Sequence, residues 1–130
     1  MASQTEWVDD TKTVILLRII EDFGIEDYGV MEGQIPMMVR EVDHNVDVIL
    51  VLTPGAKLPP VRGLLREIEI LLNVMPPNFG KFIGVGEGWL LSTPVAVAFG
   101  RMFINYYFGE QSSHIRIAPT VAAALETAQA

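Results

Sequence analysis

The fold is decided by residues 47–85, which read DVILVLTPGAKLPPVRGLLREIEILLNVMPPNFGKFIGV. Residues 47–52 are a short, continuous apolar run between turn residues, typical of a strand that is covered on both faces. After a loop at residues 53–57, Pro59 and Pro60 open a helix, because the first helical turn tolerates proline. Its apolar side chains recur at helical spacing and are Val61, Leu64, Leu65, Ile68, Leu71, Leu72 and Met75. Residues 75–80 end this helix, and residues 81–85 predict the next strand.

Upstream of this unit, two β-prone segments at residues 4–8 and 13–20 flank a polar turn and predict a β-hairpin. A helix follows, because apolar side chains then recur every three or four residues. They are Tyr28, Met31, Ile35, Met38, Val39 and Val42. Pro36 lies inside this helix and predicts a kink near residues 32–36.

Downstream, residues 94–108 predict a third helix, and we refer to them as the apolar segment. Residues 114–118 predict a last strand, and residues 120–128 a last helix that begins at Pro119 or Thr120. The element order is β-β-α-β-α-β-α-β-α. Strands joined through helices run parallel, and the hairpin adds an antiparallel edge. We therefore expect one α/β domain over residues 1–130, with a mixed, mostly parallel sheet of about five strands and four helices.

Composition excludes several classes of protein. The chain has 130 residues, of which 50% are hydrophobic and 19% charged, and it has no cysteine. This excludes a disordered chain and a disulfide scaffold. The net charge of −7 argues against nucleic-acid binding, which favours a basic surface. Eleven of the sixteen acidic residues fall within residues 1–47, and the rest of the chain is nearly neutral. One interpretation is that a less acidic surface is free to pack on something apolar. The competing interpretation is that the acidic residues only keep the protein soluble.

The mean hydropathy of +0.34 is high for so acidic a chain, but it does not indicate a membrane protein. Residues 1–10 lack the basic and apolar regions of a signal peptide, which predicts a cytoplasmic protein. Residues 90–108 are long enough to span a bilayer, yet Arg101, Asn105, Pro94 and Gly100 interrupt them. We therefore expect a buried helix there and no transmembrane segment.

Three parts of the sequence partly match known binding motifs, but each departs from the pattern that its ligand requires. Residues 84–88 read G-x-G-x-G, which lacks the spacing of a dinucleotide-binding loop and has Glu87 where a phosphate would lie. Residues 43–47 resemble a calcium loop, but Val48 and Pro54 occupy positions that need glycine and glutamate. The histidines, His44 and His114, fall in separate elements. We therefore expect no metal, no cofactor and no catalytic constellation.

A ligand of an open α/β sheet binds outside the carboxyl ends of the parallel strands. By that rule the candidate ligand-binding residues lie in the loops after the second and third parallel strands. They are Thr53, Lys57, Ser92 and Thr93, which suit a small anion, and Trp89, which supplies an apolar wall. The competing interpretation is that these are ordinary loop and helix-cap residues.

The apolar segment carries more apolar side chains than one core-facing side of a helix needs. Its strongly polar residues, Arg101 and Asn105, are four apart and share one narrow stripe. The surplus predicts a contact with a second copy, another protein or an apolar ligand. The candidate dimer interface comprises Phe99, Met102, Phe103, Tyr106 and Tyr107. The alternative is complete burial of the segment by the last helix.

The element order, Trp7 in the first strand, VDVILVL at residues 46–52, LPPVRGLLREI at residues 58–68 and KFIGVGEG at residues 81–88 together resemble the STAS domain. STAS is the fold of anti-sigma-factor antagonists, and the chain is most similar to a bacterial, SpoIIAA-like branch. The resemblance covers nearly the whole chain and implies partner binding. Antagonists carry a phosphorylatable serine where the second helix begins, but this chain has Pro59, Pro60 and Val61 there. Thr53 is the nearest hydroxyl, so the resemblance implies the fold without that phosphoacceptor.

These observations predict a non-enzymatic, STAS-like regulatory or protein-interaction module that forms a homodimer. The alternative function is a small-molecule or lipid-binding domain with a pocket at the carboxyl ends of the strands.

Overall fold

The computed structural model describes residues 3–19, 29–52, 61–85, 101–102, 105 and 107–129. Five strands lie in this part of the chain: β1 (Ser3–Trp7), β2 (Val14–Ile19), β3 (Val46–Leu52), β4 (Phe79–Val85) and β5 (Ile115–Ala118). Three α-helices accompany them: α1 (Ile35–Arg40), α2 (Val61–Val74) and α3 (Val121–Gln129). A π-helical segment, Val30–Gln34, precedes α1, and a 3₁₀ segment, Gly109–His114, precedes β5.

The strands form one sheet in the order β1-β2-β3-β4-β5. β1 pairs with β2 in antiparallel fashion, whereas each later strand runs parallel to the one before it. This confirms the predicted α/β class and the mixed sheet of five strands with its antiparallel edge. The predicted fourth helix and the full element order are not confirmed, because most of the apolar segment lies outside the described residues.

One face of the sheet packs against α1 and α2. The core on this face, termed the first core, contains Ile15, Leu17, Ile19, Ile35, Val39, Val46, Val48, Leu50, Ile68, Leu71, Phe82, Phe108 and Ile115. Neighbouring parallel strands in sequential order receive right-handed crossovers, and these place successive connecting helices on the same face. Sheet order and handedness together therefore explain why α1 and α2 share this core.

The opposite face packs against α3, which follows the last strand and is not a crossover. Its core, the second core, comprises Val14, Leu16, Ile49, Val51, Ile83, Val85, Ala118 and Ala124. β3 contributes to both cores, and Val48 and Ile49 are fully buried. This is why β3 reads as a continuous apolar run, since each fully buried aliphatic side chain contributes roughly 1.5–3 kcal/mol.

The helix before β3 is irregular where proline predicts a kink. The π-helical segment ends at Gln34, and Pro36 lies in the first turn of α1, where its missing N–H costs little. Ile35, Pro36 and Val39 are buried, whereas Met37 is exposed. Ile35 and Val39 of α1, which follows the π-helical segment, belong to the first core.

Other predicted elements match the structure to within a few residues. β4 begins two residues earlier than predicted, at Phe79, because the turn after α2 is shorter than its two prolines suggest. The predicted start of the last helix is confirmed, since the backbone N–H of Ala123 donates to Thr120 Oγ1 at 3.1 Å. Within the described ranges, none of the helices has both the length and the hydropathy that a bilayer crossing requires.

Candidate functional site

Polar side chains gather where β3, β4 and β5 begin, and we term this group the amino-edge cluster. It comprises the side chains of His44, Asp47, Asn78, Lys81 and His114, together with the backbone of Gly80. Its centre is an irregularity in the pairing of β3 with β4, where Val46 pairs with Phe79 but Val48 pairs with Phe82. β4 thus has one extra residue in this interval, as in a β-bulge. A bulge removes backbone groups from the regular ladder, and side chains then supply their hydrogen-bond partners.

Asp47 provides a hydrogen-bond acceptor for a backbone N–H group of the bulge. Its Oδ1 accepts a hydrogen bond from the backbone N–H of Lys81 at 2.7 Å. A Cβ atom on residue 80 would lie 2.2 Å from the same oxygen, a distance that no side chain tolerates. The residue at position 80 must therefore be glycine for the carboxylate to reach the bulged backbone.

Asn78 fastens the start of β4 to the end of α1. Its side-chain N–H₂ group donates to the carbonyl oxygens of Val39 at 2.8 Å, Val42 at 3.0 Å and His44 at 3.0 Å. Three acceptors around one atom identify that atom as nitrogen, because an amide oxygen would face only lone pairs. Its two hydrogens serve three carbonyls, so one of these bonds is shared.

Both histidines donate to backbone carbonyls of neighbouring loops or strands. His44 Nε2 lies 2.9 Å from the Lys12 carbonyl oxygen, and His114 Nδ1 lies 3.1 Å from the Gly80 carbonyl oxygen. A carbonyl oxygen can only accept, so each of these nitrogens carries the hydrogen. In the neutral rings, Nδ1 of His44 and Nε2 of His114 are consequently acceptors. The two rings join β3 to the β1–β2 turn and β5 to the bulge.

Lys81 connects the amino-edge cluster to α3, on the face of the sheet that carries the second core. Its Nζ donates to the carbonyl oxygen of Thr127 at 3.0 Å, in the last turn of α3. A cation at this place is favourable, because the last carbonyls of a helix carry partial negative charge. The bulged residue therefore also anchors the helix that covers the second core.

A shallow groove of about 250 Å³ lies beside the cluster, between the end of α2 and the start of β5. It is lined by Leu72, Met75, Pro76, Pro77, Phe79 and His114. The rings of Phe79 and His114 stack with their centroids 6.2 Å apart and their planes 29° from parallel. The groove is mostly apolar, with the imidazole as its polar group, and its volume suits one side chain or a small ring.

A second polar feature lies between the π-helical segment and α2, where Glu32 meets Glu67. Oε2 of Glu67 is buried and has no hydrogen-bond partner. Burial and the adjacent carboxyl of Glu32 raise the pKa of Glu67, and Arg66 opposes this only in part. Two carboxyl groups in this position favour a state in which one of them carries a proton.

The predicted ligand-binding residues, Thr53, Lys57, Trp89, Ser92 and Thr93, lie outside the described residues. So do three residues of the predicted dimer interface, Phe99, Phe103 and Tyr106. These assignments remain predictions.

The other two interface candidates are placed differently from each other. Met102 is 67% exposed. Tyr107 is half-buried and packs against the first core, where its ring meets the edge of the Phe108 ring at a centroid distance of 4.9 Å. Met102 thus presents an apolar side chain to solvent, whereas Tyr107 contributes to the interior of the monomer.

The amino-edge cluster was not predicted from the sequence. Asn78, Asp47 and His114 reach partners 34 to 39 residues away, and no local spacing announces such contacts. The one local signal is the Pro-Pro-Asn-Phe-Gly turn at residues 76–80, which combines a turn asparagine with a glycine.

In the described part of the chain, no group of three or more histidine, aspartate or glutamate side chains is placed to hold a metal ion. Comparisons of the sequence with protein-family models, of the chain with curated proteins, and of the fold with solved structures give no match.

Proposed function

We propose that this chain is a non-enzymatic, STAS-like regulatory or protein-interaction module that forms a homodimer through the apolar segment. The observation that carries the proposal is Met102, a large apolar side chain that is 67% exposed. Burying a methionine side chain contributes roughly 1.5–3 kcal/mol, so a contact that covers it is favourable. Methionine and aromatic side chains are also enriched in protein interfaces.

The surroundings of Met102 support the same proposal. Arg101 and Asn105 are exposed beside it, whereas Tyr107 and Phe108 turn towards the first core. The sequence predicts that Phe99 and Tyr106, three residues before and four after Met102, lie on the same side of a helix as Met102. An apolar centre with an arginine and an asparagine at its rim has the composition of a protein interface.

The amino-edge cluster supports a structural use of its polar side chains. His44, Asn78 and His114 each donate to backbone carbonyls, and Asp47 accepts from a backbone N–H. These groups hold the ends of the strands together. A module that works by presenting a rigid surface needs such supports.

Substitution of Met102 tests the proposal. We expect the wild-type protein to be a dimer at micromolar concentration by multi-angle light scattering. Met102→Lys should convert it to a monomer, because a buried lysine in the interface loses its hydration. The control is Met37→Lys, since Met37 is 64% exposed on α1 and is not part of the proposed surface.

Circular dichroism of both variants separates dissociation from unfolding. Met102→Lys should retain the wild-type spectrum, and Tyr106→Glu provides a second test on the same helical stripe. A wild-type monomer at these concentrations would contradict the homodimer. Equal dissociation by Met102→Lys and Met37→Lys would show that the apolar segment is not the interface.

A further inference from the structure

The pair Glu32 and Glu67 joins two elements of the chain, the π-helical segment and α2. Glu32 belongs to the π-helical segment, and Glu67 lies near the middle of α2. Glu32 is exposed, Glu67 is half-buried, and Oε2 of Glu67 is buried without a hydrogen-bond partner. An ionised carboxylate in that place has lost water without gaining a donor, which is unfavourable.

A single proton, bound to either Glu32 or Glu67, removes this unfavourable interaction. A carboxylic acid donates a hydrogen bond that a carboxylate cannot, so a shared proton turns the contact from repulsion into attraction. Among the described residues, the charged groups that act on Glu67 are Glu32 and Arg66. The sheet face under α2 carries the apolar residues Ile15, Leu17 and Phe82, which supply neither charge nor donor.

The π-helical segment is the element that this pair would release. It leads directly into α1, whose Ile35 and Val39 are fully buried in the first core. π-Helical turns are rare and occur often at functional positions. Repulsion between Glu32 and Glu67 acts on such a turn, directly before α1.

We propose that Glu32 and Glu67 form a proton-dependent latch that holds the π-helical segment and α1 against α2 when one carboxyl is protonated and loosens them when both are ionised. The sign follows from the raised pKa of Glu67, whose ordinary value is 4.5. The stabilisation is complete below about pH 4.5 and is lost as the pH rises through the raised value. The latch therefore opens towards higher pH.

Hydrogen exchange resolved by residue tests the latch in the full chain. We expect the protection factors of residues 30–40 to fall as the pH rises from about 4.5 through the raised pKa of Glu67, by up to about tenfold for each pH unit within the titration range. Glu67→Gln keeps the shape and removes the charge, so its protection factors should stay high and vary little. Glu32→Gln should act in the same way, and the double variant should add nothing further.

Glu69→Gln is the matched control, because it removes one negative charge from the same helix two residues away. Its protection factors should keep the wild-type pH dependence. The latch is refuted if Glu67→Gln and the wild-type protein respond to pH in parallel. It is equally refuted if Glu69→Gln flattens the response as much as Glu67→Gln does, since general charge repulsion would then account for it.

Discussion

Asn78 shows how one side chain joins parts of the chain that are distant in sequence. Its N–H₂ group bonds to three carbonyl oxygens that follow or end α1, at 2.8 to 3.0 Å. The Val39 carbonyl also accepts a hydrogen bond from the backbone N–H of Val42 at 3.5 Å, so the amide adds a donor there. Without the amide, the carbonyls of Val39, Val42 and His44 would each lose a hydrogen bond.

We therefore expect Asn78→Ala to lower the free energy of unfolding by about 1–3 kcal/mol. Asn78→Asp should lower it more above the pH at which aspartate ionises, because a carboxylate would then face three carbonyl oxygens. Urea denaturation at pH 7 measures both. Asn45→Ala, at an exposed asparagine in the turn before β3, is the control and should change little. Equal losses from Asn45→Ala and Asn78→Ala would contradict this role for the amide.

Asp9 organises the β1–β2 turn. Its Oδ1 accepts hydrogen bonds from the Thr11 hydroxyl and from the Thr11 backbone N–H, the latter at 3.0 Å. Lys12 follows with a φ angle of 53°, which a residue with a side chain adopts only where the turn demands it. The two hydrogen bonds from Thr11 to the Asp9 carboxylate hold the backbone of the residue directly before Lys12.

These bonds lower the pKa of Asp9 below its ordinary value of 3.8. The carboxylate therefore stabilises the turn above that pH and ceases to do so as the pH falls through the lowered value. Thr11→Val should raise the pKa of Asp9 part of the way towards its ordinary value, because the hydroxyl bond is lost and the backbone N–H bond remains. Carboxyl ¹³C titration by NMR measures this change. Thr13→Val is the control, because Thr13 bonds the Thr11 hydroxyl rather than the carboxylate. An unchanged pKa of Asp9 in Thr11→Val would refute the assignment of part of the shift to the Thr11 hydroxyl.

At the scale of elements, α3 is the clearest case of a helix that depends on its ends. It has nine residues, which is too short for stability in isolation. Thr120 Oγ1 accepts from the Ala123 N–H at its start, and Lys81 Nζ donates to the Thr127 carbonyl near its end. Both ends are thus joined by hydrogen bonds that compensate for the missing helical ones.

Thr120→Ala should reduce the free energy of unfolding by about 1 kcal/mol, because the cap is lost. Thr120→Ser retains a hydroxyl and should behave nearly as the wild-type protein. Thermal denaturation followed by circular dichroism compares the two. If Thr120→Ser loses as much as Thr120→Ala, the hydroxyl bond is not what stabilises the start of α3.

In contrast to α3, which hydrogen bonds hold at both ends, the π-helical segment and α1 have an unfavourable polar contact with a neighbouring helix. Their junction places Ile35 and Val39 in the core, but the contact with α2 includes the carboxyl pair Glu32 and Glu67. An apolar contact next to an unfavourable polar one gives an element whose packing depends on conditions. The proposed latch belongs to this scale, since it changes how two elements pack and leaves the sheet intact.

At the scale of the whole molecule, the sheet separates two cores, and different numbers of the described helices pack on its two faces. Two helices share the first core, whereas α3 packs on the second core mainly over β3, β4 and β5. The amino-edge cluster connects these layers, because Lys81 joins the bulge to α3 and Asn78 joins β4 to α1. The exposed Met102 stands apart from this network, in keeping with the proposed interface.

The sequence by itself determined the elements that depend on local patterns. A continuous apolar run marked β3, and residues 81–85 marked most of β4. Two β-prone segments around a polar turn marked the hairpin, and Pro119 or Thr120 marked the start of α3. Pro36 marked the irregular helix. These succeed because backbone conformation and side-chain periodicity are set by residues close together in the chain.

Only the tertiary structure decided the contacts between distant residues. The bulge at Gly80, the three bonds of Asn78, the tautomers of both histidines and the meeting of Glu32 with Glu67 each join residues 32 to 39 positions apart or lie where strands come together. Periodicity predicts which face of a helix or strand is apolar, but it does not predict which residue of another element contacts that face. That depends on strand register and helix packing, which the whole chain sets together.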